Sequence, residues 1–304
     1  MKKSLIVRIA EGLGNQMFMY ANALSVSKNI NYKLYVDDKS AYFKKKDIRS
    51  FELNNFNITG SSLDDKYKFN NEIKNFKRKF LIKFDLFRTK KNFIIESKFK
   101  NKQTKYSPID TRNLSDLVYV EGNYESEKYF ISNRNNLLKE FEIKNKDKLI
   151  KNKYFDMINK NKDRIISICV RTNRYSERIK NSDNLISKSK SDEFTQNNIE
   201  YIKRAIKQFP IKIEKPLYLL WSNDFSNLNE YFPKENFIFI KNDHNKVIND
   251  FFLLTLCKNF IVGPTSFHWW GAWLSQHNDK ICIKPKNINQ SSNIDFWPNN
   301  WIPL

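Results

Sequence analysis

The chain has little of the residue types that build several common kinds of site. Three cysteines, Cys169, Cys257 and Cys282, are spread over 304 residues with no C-x-x-C spacing. That excludes a disulfide framework or a cysteine zinc site as the organising device. Three histidines, His244, His268 and His277, form no H-E-x-x-H pattern, so the metal-binding helix of zinc proteases is absent. No apolar run reaches the roughly 18 residues that a membrane-spanning helix needs. The N-terminus MKKSLIVRIAEGLGNQ begins as a signal peptide would, but Arg8 and Glu11 interrupt its short apolar run, and no small-residue cleavage site follows. A cytoplasmic location is therefore expected, with attachment to a membrane surface left open.

Acidic residues are also scarce. Asp and Glu total 33 against 54 Lys and Arg, a formal net charge of +21. Much of the excess is local, since about 14 Lys/Arg stand against about 3 Asp/Glu between Lys66 and Lys105. A basic field of this kind attracts phosphates, anionic lipid headgroups or nucleic acid; a solvated basic face is the plain alternative. Phe76, Phe80, Leu81, Phe84, Leu86 and Phe87 recur there at helical spacing, which predicts an amphipathic helix. Its apolar face is expected to join the core rather than a membrane. No recognised nucleic-acid module accompanies the charge, so a nucleic-acid-binding protein stays a remote alternative.

Only six glycines occur, and two of them, Gly12 and Gly14, fall in EGLGNQMFMYANAL (11–24). SLIVRIA (4–10) reads as a buried strand, GLGNQ as a turn, and Met17, Tyr20, Ala21 and Leu24 lie at helical spacing. YKLYVDD (32–38) alternates and reads as a second strand. Strand, helix and strand in this order make a βαβ unit and a parallel sheet. Gly12 and Gly14 permit positive φ and close backbone approach to a ligand. Asn15 and Gln16 offer amides to a hydroxyl-rich ligand. An ordinary βα turn explains the same string.

The segments 164–177, 216–224, 237–243, 260–277 and 280–286 each contain an apolar run that reads as a strand. Helical patterns over 191–210, ended by Pro210, and over 247–259 alternate with them. That rhythm predicts a doubly wound parallel sheet, and two α/β domains, 1–160 and 161–304. Ligands of such sheets bind at the carboxyl ends of strands, where loops meet helix N-termini. Four polar clusters sit there: EGLGNQ, CVRTNRYSE, WSND and GPTSFHWW. Arg171 suits a diphosphate, because its planar fork bonds phosphate oxygens in pairs, although a surface role is common in so basic a chain. Thr265 and Ser266 can cap the next helix or contribute to an anion site. Asp250 offers a carboxylate that accepts paired N–H groups of a guanine edge, or is simply solvated. Trp269, Trp270 and Trp273 fit one helix and read as core, and His268 as a capping or packing residue rather than a metal ligand.

Together, GLGNQMFMYANAL, YVEGNYESEKYF, LCKNFIVGPTSFHWWGAWL and the terminal NNWIPL resemble the bacterial α-1,2-fucosyltransferases of glycosyltransferase family 11, in order and over nearly the whole chain. The resemblance implies an α/β GT-B-like fold, two Rossmann-like halves facing across a cleft. The first half would be the acceptor side with a basic helical insertion, and the second would bind the GDP-sugar. It implies inverting transfer of L-fucose from GDP-L-fucose to the 2-hydroxyl of a galactoside in an O-antigen or capsule glycan. The basic helix adds a further reading, in which its charge attracts anionic lipid and a lipid-linked acceptor at the inner membrane. No metal or other cofactor is implied, and the chain has no D-x-D triplet.

By the same resemblance, Arg171, Thr265 and Ser266 hold the diphosphate with Phe267 beside them, Asp250 reads the guanine, and Asn223 and Asp224 lie near the nucleotide. Gly12, Gly14, Asn15 and Gln16 line the sugar and acceptor side. The family usually carries H-x-R-R-G-D-Y where this chain has CVRTNRY. Cys169 replaces the His, Thr172 the second Arg, Asn173 the Gly and Arg174 the Asp. Arg174 would then serve with Asn173 on the donor side as a second cation. That departure motivates one alternative, the same fold with another nucleotide-sugar donor. Glu11 and Glu177 are general-base candidates by position alone.

Overall fold

Why the chain folds as two successive α/β units follows from its strand pattern. The computed structural model describes residues 3–44, 49–97, 103–176, 185–242, 247–287, 291 and 293–304. The first unit comprises 1–144 with 291–298, and the second 145–290 with 299–304. The division falls at 144/145, short of the 160/161 boundary expected from the strand and helix rhythm, and the C-terminal residues supply one piece to each unit.

The first unit contains β1 (Ser4–Arg8), α1 (Leu13–Asn29), β2 (Lys33–Asp37), β3 (Ser61–Ser62), α2 (Glu72–Asp85), β4 (Lys91–Ile95), β5 (Leu114–Glu121) and α3 (Arg134–Glu140). Its parallel sheet has the order β3-β2-β1-β5-β4. Leu5, Ile6 and Val7 of β1 are fully buried, as a central strand covered on both faces requires. From Leu13 to Ser27 every residue of α1 except Asn15 is buried, so this helix runs through the core instead of lying on it. Its Tyr20 hydroxyl donates to Glu140 Oε2 (2.7 Å) and accepts from the Gly60 N–H (3.0 Å). Thr59 N–H donates to the same carboxylate (2.7 Å). One buried carboxylate thus fastens α1, the loop before β3 and α3.

The segment 64–105 is not one helix. Asn71 caps α2 by accepting from Lys74 N–H (2.8 Å). The helix stops because the Asp85 carboxylate accepts from the N–H groups of Asn92 (2.9 Å) and Phe93 (3.1 Å), turning the chain into β4. The expected burial of its apolar face is overturned as well. Ile73, Phe76, Phe80, Phe84, Leu86 and Phe87 keep 55–84% of their surface exposed. The side that meets the sheet is polar: Arg78 Nε and Nη2 donate to the two oxygens of Glu121 at the end of β5 (2.8 and 2.7 Å). Leu81 alone of the predicted apolar set packs on the cluster of Ile6, Leu63, Phe69 and Tyr119.

The second unit contains α4 (Lys146–Leu149), α5 (Phe155–Lys160), β6 (Ile165–Val170), α6 (Leu185–Lys207), β7 (Leu217–Ser222), β8 (Phe237–Phe239), α7 (Val247–Leu256), β9 (Asn259–Ile261), α8 (Ser266–Leu274), β10 (Cys282–Lys284) and β11 (Ile302–Pro303). Its sheet is parallel with the order β11-β10-β9-β6-β7-β8, the dinucleotide-fold order read from the other edge. Every residue of β6 is buried. Trp269, Trp270, Trp273 and Trp301 are core, with Trp269 stacked on Trp273 (6.1 Å) and packed against Trp301 (5.7 Å). All three cysteines are buried free thiols.

The carboxylate junction in the first unit sets a measurable expectation. Tyr20→Phe leaves Glu140 and the Gly60 N–H each one partner short. It should destabilise the protein by about 1–3 kcal/mol, read as a lower urea midpoint at unchanged slope. An unaltered midpoint would contradict the junction.

Candidate functional site

In the second unit the strand order reverses between β6 and β9, the place where open α/β sheets bind ligands. Two backbones meet there. A Cβ on Gly263, just past β9, would lie 2.3 Å from the carbonyl oxygen of Cys169 in β6, so no side chain fits. Gly263 N–H donates to His268 Nδ1 (3.0 Å), and His268 Nε2 meets Ser167 Oγ (2.9 Å). Because Nδ1 accepts, the ring proton sits on Nε2. Desolvation pushes the fully buried imidazole down to about 3, which keeps it neutral. Trp221 Nε1 donates to the same Ser167 Oγ (2.9 Å). The histidine is a structural pin, as its packing reading anticipated.

Thr265 caps α8 by accepting the His268 N–H on its hydroxyl (3.0 Å). The N-terminus of α8 therefore opens beside the carboxyl end of β6, with Ser266 as its first residue. Helix starts carry unpaired N–H groups and a partial positive charge, which favours anions. The Cys169 thiol lies 3.9 Å from the Thr265 hydroxyl, and burial pushes it up to about 11. It is a packing group and no nucleophile.

Arg171 follows β6 directly and is half-buried. The loop around it is tied to the loop after β7. Thr172 donates to Asn223 Oδ1 through its N–H (3.0 Å) and its hydroxyl (3.2 Å), and Asn223 Nδ2 returns a bond to Thr172 O (3.2 Å). Asn173, with φ 52°, donates to Asp224 Oδ2 (3.2 Å). Ser226 donates to Asp224 Oδ1 through N–H (2.9 Å) and hydroxyl (2.7 Å), holding this carboxyl below its usual range. Asn223 and Asp224 thus brace the loop that carries Arg171 and Arg174. A cavity of about 440 Å³ opens beside this brace, lined by Thr172, Asn173, Asp224 and Tyr231 among others.

Asp250 lies in the first turn of α7, at the same end of the sheet. Its Oδ1 accepts from Asn242 Nδ2 (2.5 Å), whose Oδ1 accepts from Asn152 (2.9 Å). Phe267 on α8 packs edge-on to Phe251 (5.3 Å). The strand ends thus gather Arg171, Asn173, Arg174, Asn223, Asp224, Thr265 and Ser266, with Asp250 on the neighbouring connection. Glu177 and His244 lie outside the described residues.

In the first unit the EGLGNQ string differs from expectation. Gly12 is extended (φ −86°), and Gly14, Asn15 and Gln16 already belong to the first turn of α1. Among the described residues the left-handed position of this junction is Glu11 (φ 63°), not a glycine. Gln16 is buried, and its amide is consumed within the fold. It donates to Glu11 O (2.9 Å) and Ser50 O (2.7 Å) and accepts from Glu52 N–H (2.9 Å). Tyr42 OH also donates to Glu11 O (3.0 Å).

The sequence reading did not single out Tyr42, Arg49 and Glu52, which these bonds and the Arg49 guanidinium beside Gly12 bring to the loop. Burial raises the Glu52 carboxyl, with Arg49 opposing. No periodicity or motif marks these residues; they arrive through hydrogen bonds spanning 31–36 positions. Among the described residues no three of His, Cys, Asp and Glu gather as a metal site, and no helix is long and apolar enough to cross a membrane.

The model of one family, glycosyl transferase family 11, matches residues 2–303. The chain belongs to that family. This family 11 chain is 26% identical to the O-antigen biosynthesis glycosyltransferase WbnK of Escherichia coli, over 96% of its own length and 98% of the relative's. It is also 26% identical to an α-1,2-colitosyltransferase of Escherichia coli, over 99% and 98%. In fold it is similar to NodZ α-1,6-fucosyltransferase co-crystallised with GDP (TM-score 0.52, 13% identity, 93% and 96% covered). FUT1 of Arabidopsis thaliana in complex with GDP is similar too (TM-score 0.53, 12% identity, 94% and 71% covered). The GT-B-like class and the glycosyltransferase assignment read from the motifs both hold, and the nucleic-acid alternative falls away.

The His268 pin has a pH signature. An unfolded imidazole takes up a proton near its ordinary value of about 6.5, whereas the native one resists down to about 3. Its native value is depressed, so stability falls as pH drops from about 6.5 toward 3, by up to ~1.4 kcal/mol per unit from this group. Urea unfolding between about pH 7 and pH 5 should give a flatter profile for His268→Gln than for the wild type. Parallel profiles would contradict a buried neutral histidine.

Proposed function

We propose that this family 11 enzyme transfers L-fucose from GDP-L-fucose to the 2-hydroxyl of a galactoside in a bacterial surface glycan, O-antigen or capsule. The observation that carries the reading is the conjunction of Arg171 at the end of β6 with the capped N-terminus of α8, at the strand switch point. The O-antigen and α-1,2 names of the two relatives support the glycan class and the linkage, and the family resemblance supplies the sugar. The reading works in the cytoplasm, with a lipid-linked unit as one form of acceptor, and uses no metal or other cofactor.

In this reading Arg171 and the α8 start, with Thr265 and Ser266, hold the diphosphate, and Arg174 adds a second cation. Asp250 faces the guanine edge, and Phe267, packed on Phe251, stands on the donor side. Asn173, Asn223 and Asp224 keep the Arg171 loop in place. Gly12, Gly14 and Asn15 belong to the sugar and acceptor side, where Gln16 orders the loop from within. The acceptor oxygen bonds to C1 of fucose from the face opposite GDP. The C1–O bond to the β-phosphate breaks, its electron pair stays on that phosphate oxygen, and the anomeric centre inverts. The acceptor proton passes to a carboxylate, with Glu11 and Glu177 in that role. The demand on the protein is to stabilise charge growing on the leaving phosphate, which preorganised donors do well in a partly dry site.

A thermal-shift series with GDP, GDP-fucose, GDP-mannose and UDP-sugars, with and without EDTA, tests the donor. At about 100 times Kd a ligand stabilises by ~2.7 kcal/mol, so GDP and GDP-fucose should raise Tm regardless of EDTA. A shift with a UDP-sugar alone would overturn the reading. Arg171→Ala should lose about 10²–10³-fold in kcat, and near-full activity would remove Arg171 from the site.

A further inference from the structure

α2 turns its aromatic residues away from the protein. Arg78, Leu81 and Asp85 face the sheet through the Glu121 pair, the Leu81 cluster and the turn into β4. At about 100° per residue, Ile73, Phe76, Phe80 and Phe84 fall on one stripe within an arc of about 80°, opposite that contact face. Phe80 and Phe84 stack on each other (6.2 Å, 13°), and Leu86 and Phe87 continue the exposed patch past the helix end. Folded monomers rarely leave a contiguous apolar patch of this kind to water.

The rim of the stripe is cationic. On the same wheel Lys77 borders one side and Lys79 and Lys83 the other, with Arg88 and Lys90 just beyond the helix. These five form no ion pair with a described residue. Of the nearby acids, Glu72 is paired with Lys44 (2.6 Å) and Asp85 is buried. Beside the helix a cavity of about 350 Å³ is lined by Lys74, Lys77 and Arg88 over the rings of Phe93 and Tyr119. It offers a place for a single phosphate headgroup next to the aromatic stripe.

From this arrangement we infer that α2 is an interfacial docking element for an anionic phospholipid surface. The aromatic stripe enters the headgroup–acyl boundary, and Lys77, Lys79, Lys83, Arg88 and Lys90 meet lipid phosphates. Apolar insertion and cationic attraction are the two contributions from which in-plane helices draw their binding. The charge of the rim selects a lipid surface over a second copy of the chain, whose α2 would bring the same cations face to face. The inference rests on α2 alone and stands apart from the choice of donor sugar.

The test is co-sedimentation of the full chain with phosphatidylcholine vesicles with and without about one-third phosphatidylglycerol. Strong binding to the anionic vesicles only is expected, weakening as salt screens the rim. Phe76→Ser/Phe80→Ser/Phe84→Ser should lower the partition coefficient at least tenfold while the thermal midpoint and the Tm shift with GDP stay unchanged. Lys77→Glu/Lys83→Glu should remove the preference for anionic lipid. Equal binding to neutral and anionic vesicles, or an unaffected triple variant, would overturn the inference. So would a concentration-dependent dimer, seen by light scattering and abolished by the triple variant, in a chain that ignores vesicles.

Discussion

The approach of Gly263 to the Cys169 carbonyl is the constraint on which the site depends. With no side chain at that glycine, β9 ends against β6, and the N-terminus of α8 starts beside the residue that follows β6. A neutral histidine holds the approach from behind. His268 takes the Gly263 N–H on one nitrogen and meets Ser167 within β6 with the other. The histidine contributes no charge, so the positive potential at this point comes from the helix start and from Arg171. The Asn223–Thr172 and Asp224–Asn173 bonds hold the loop that follows Arg171. In the proposed reaction such a braced loop and helix start would serve departure of a phosphate leaving group, where donors must already be in place.

The departure of CVRTNRY from the family pattern becomes intelligible in this setting. Cys169 is fully buried and packs against the Thr265 hydroxyl, so the position holds a strand end together with a non-titrating group. Thr172 and Asn173 carry the inter-loop bonds. Asn173 does so in a left-handed conformation, one that asparagine tolerates better than most residues and glycine adopts freely. Thr172 brings a hydroxyl where the pattern has an Arg, and Asn173 an amide where it has a Gly, and both bond to the loop after β7 while Arg171 stays at the start.

Much of the fold was legible in the sequence because buried parallel strands write themselves as short apolar runs. SLIVR, IISICV and LYLLWS each became a central strand, and the alternation with helical patterns gave the doubly wound sheets. β3, β4 and β11 were not legible: two are two residues long, and β4 carries the mixed string KNFII at an edge. Periodicity found α2 but could not say which way it faces. The Arg78–Glu121 pair decided that, and a bond across 43 residues leaves no local trace. In the site, Arg171 and Thr265 were readable as polar residues just past apolar runs, and Asp250 as a carboxylate just before one. The internal role of Gln16 and the presence of Tyr42, Arg49 and Glu52 at the EGLGNQ loop were not, since only the folded chain brings those segments together. The two glycines of that loop looked conformational, yet Glu11 bears the left-handed turn and Gly14 sits inside a helix.

The proposed diphosphate site lies at the switch point between β6 and β9. Calorimetric titration of GDP, GMP and guanosine into the wild type and Arg171→Ala tests it most directly. GDP should bind markedly tighter than GMP to the wild type, and Arg171→Ala should remove most of that increment while guanosine binding stays the same. Equal affinities for GDP and GMP in the wild type, or an unchanged increment in Arg171→Ala, would contradict it.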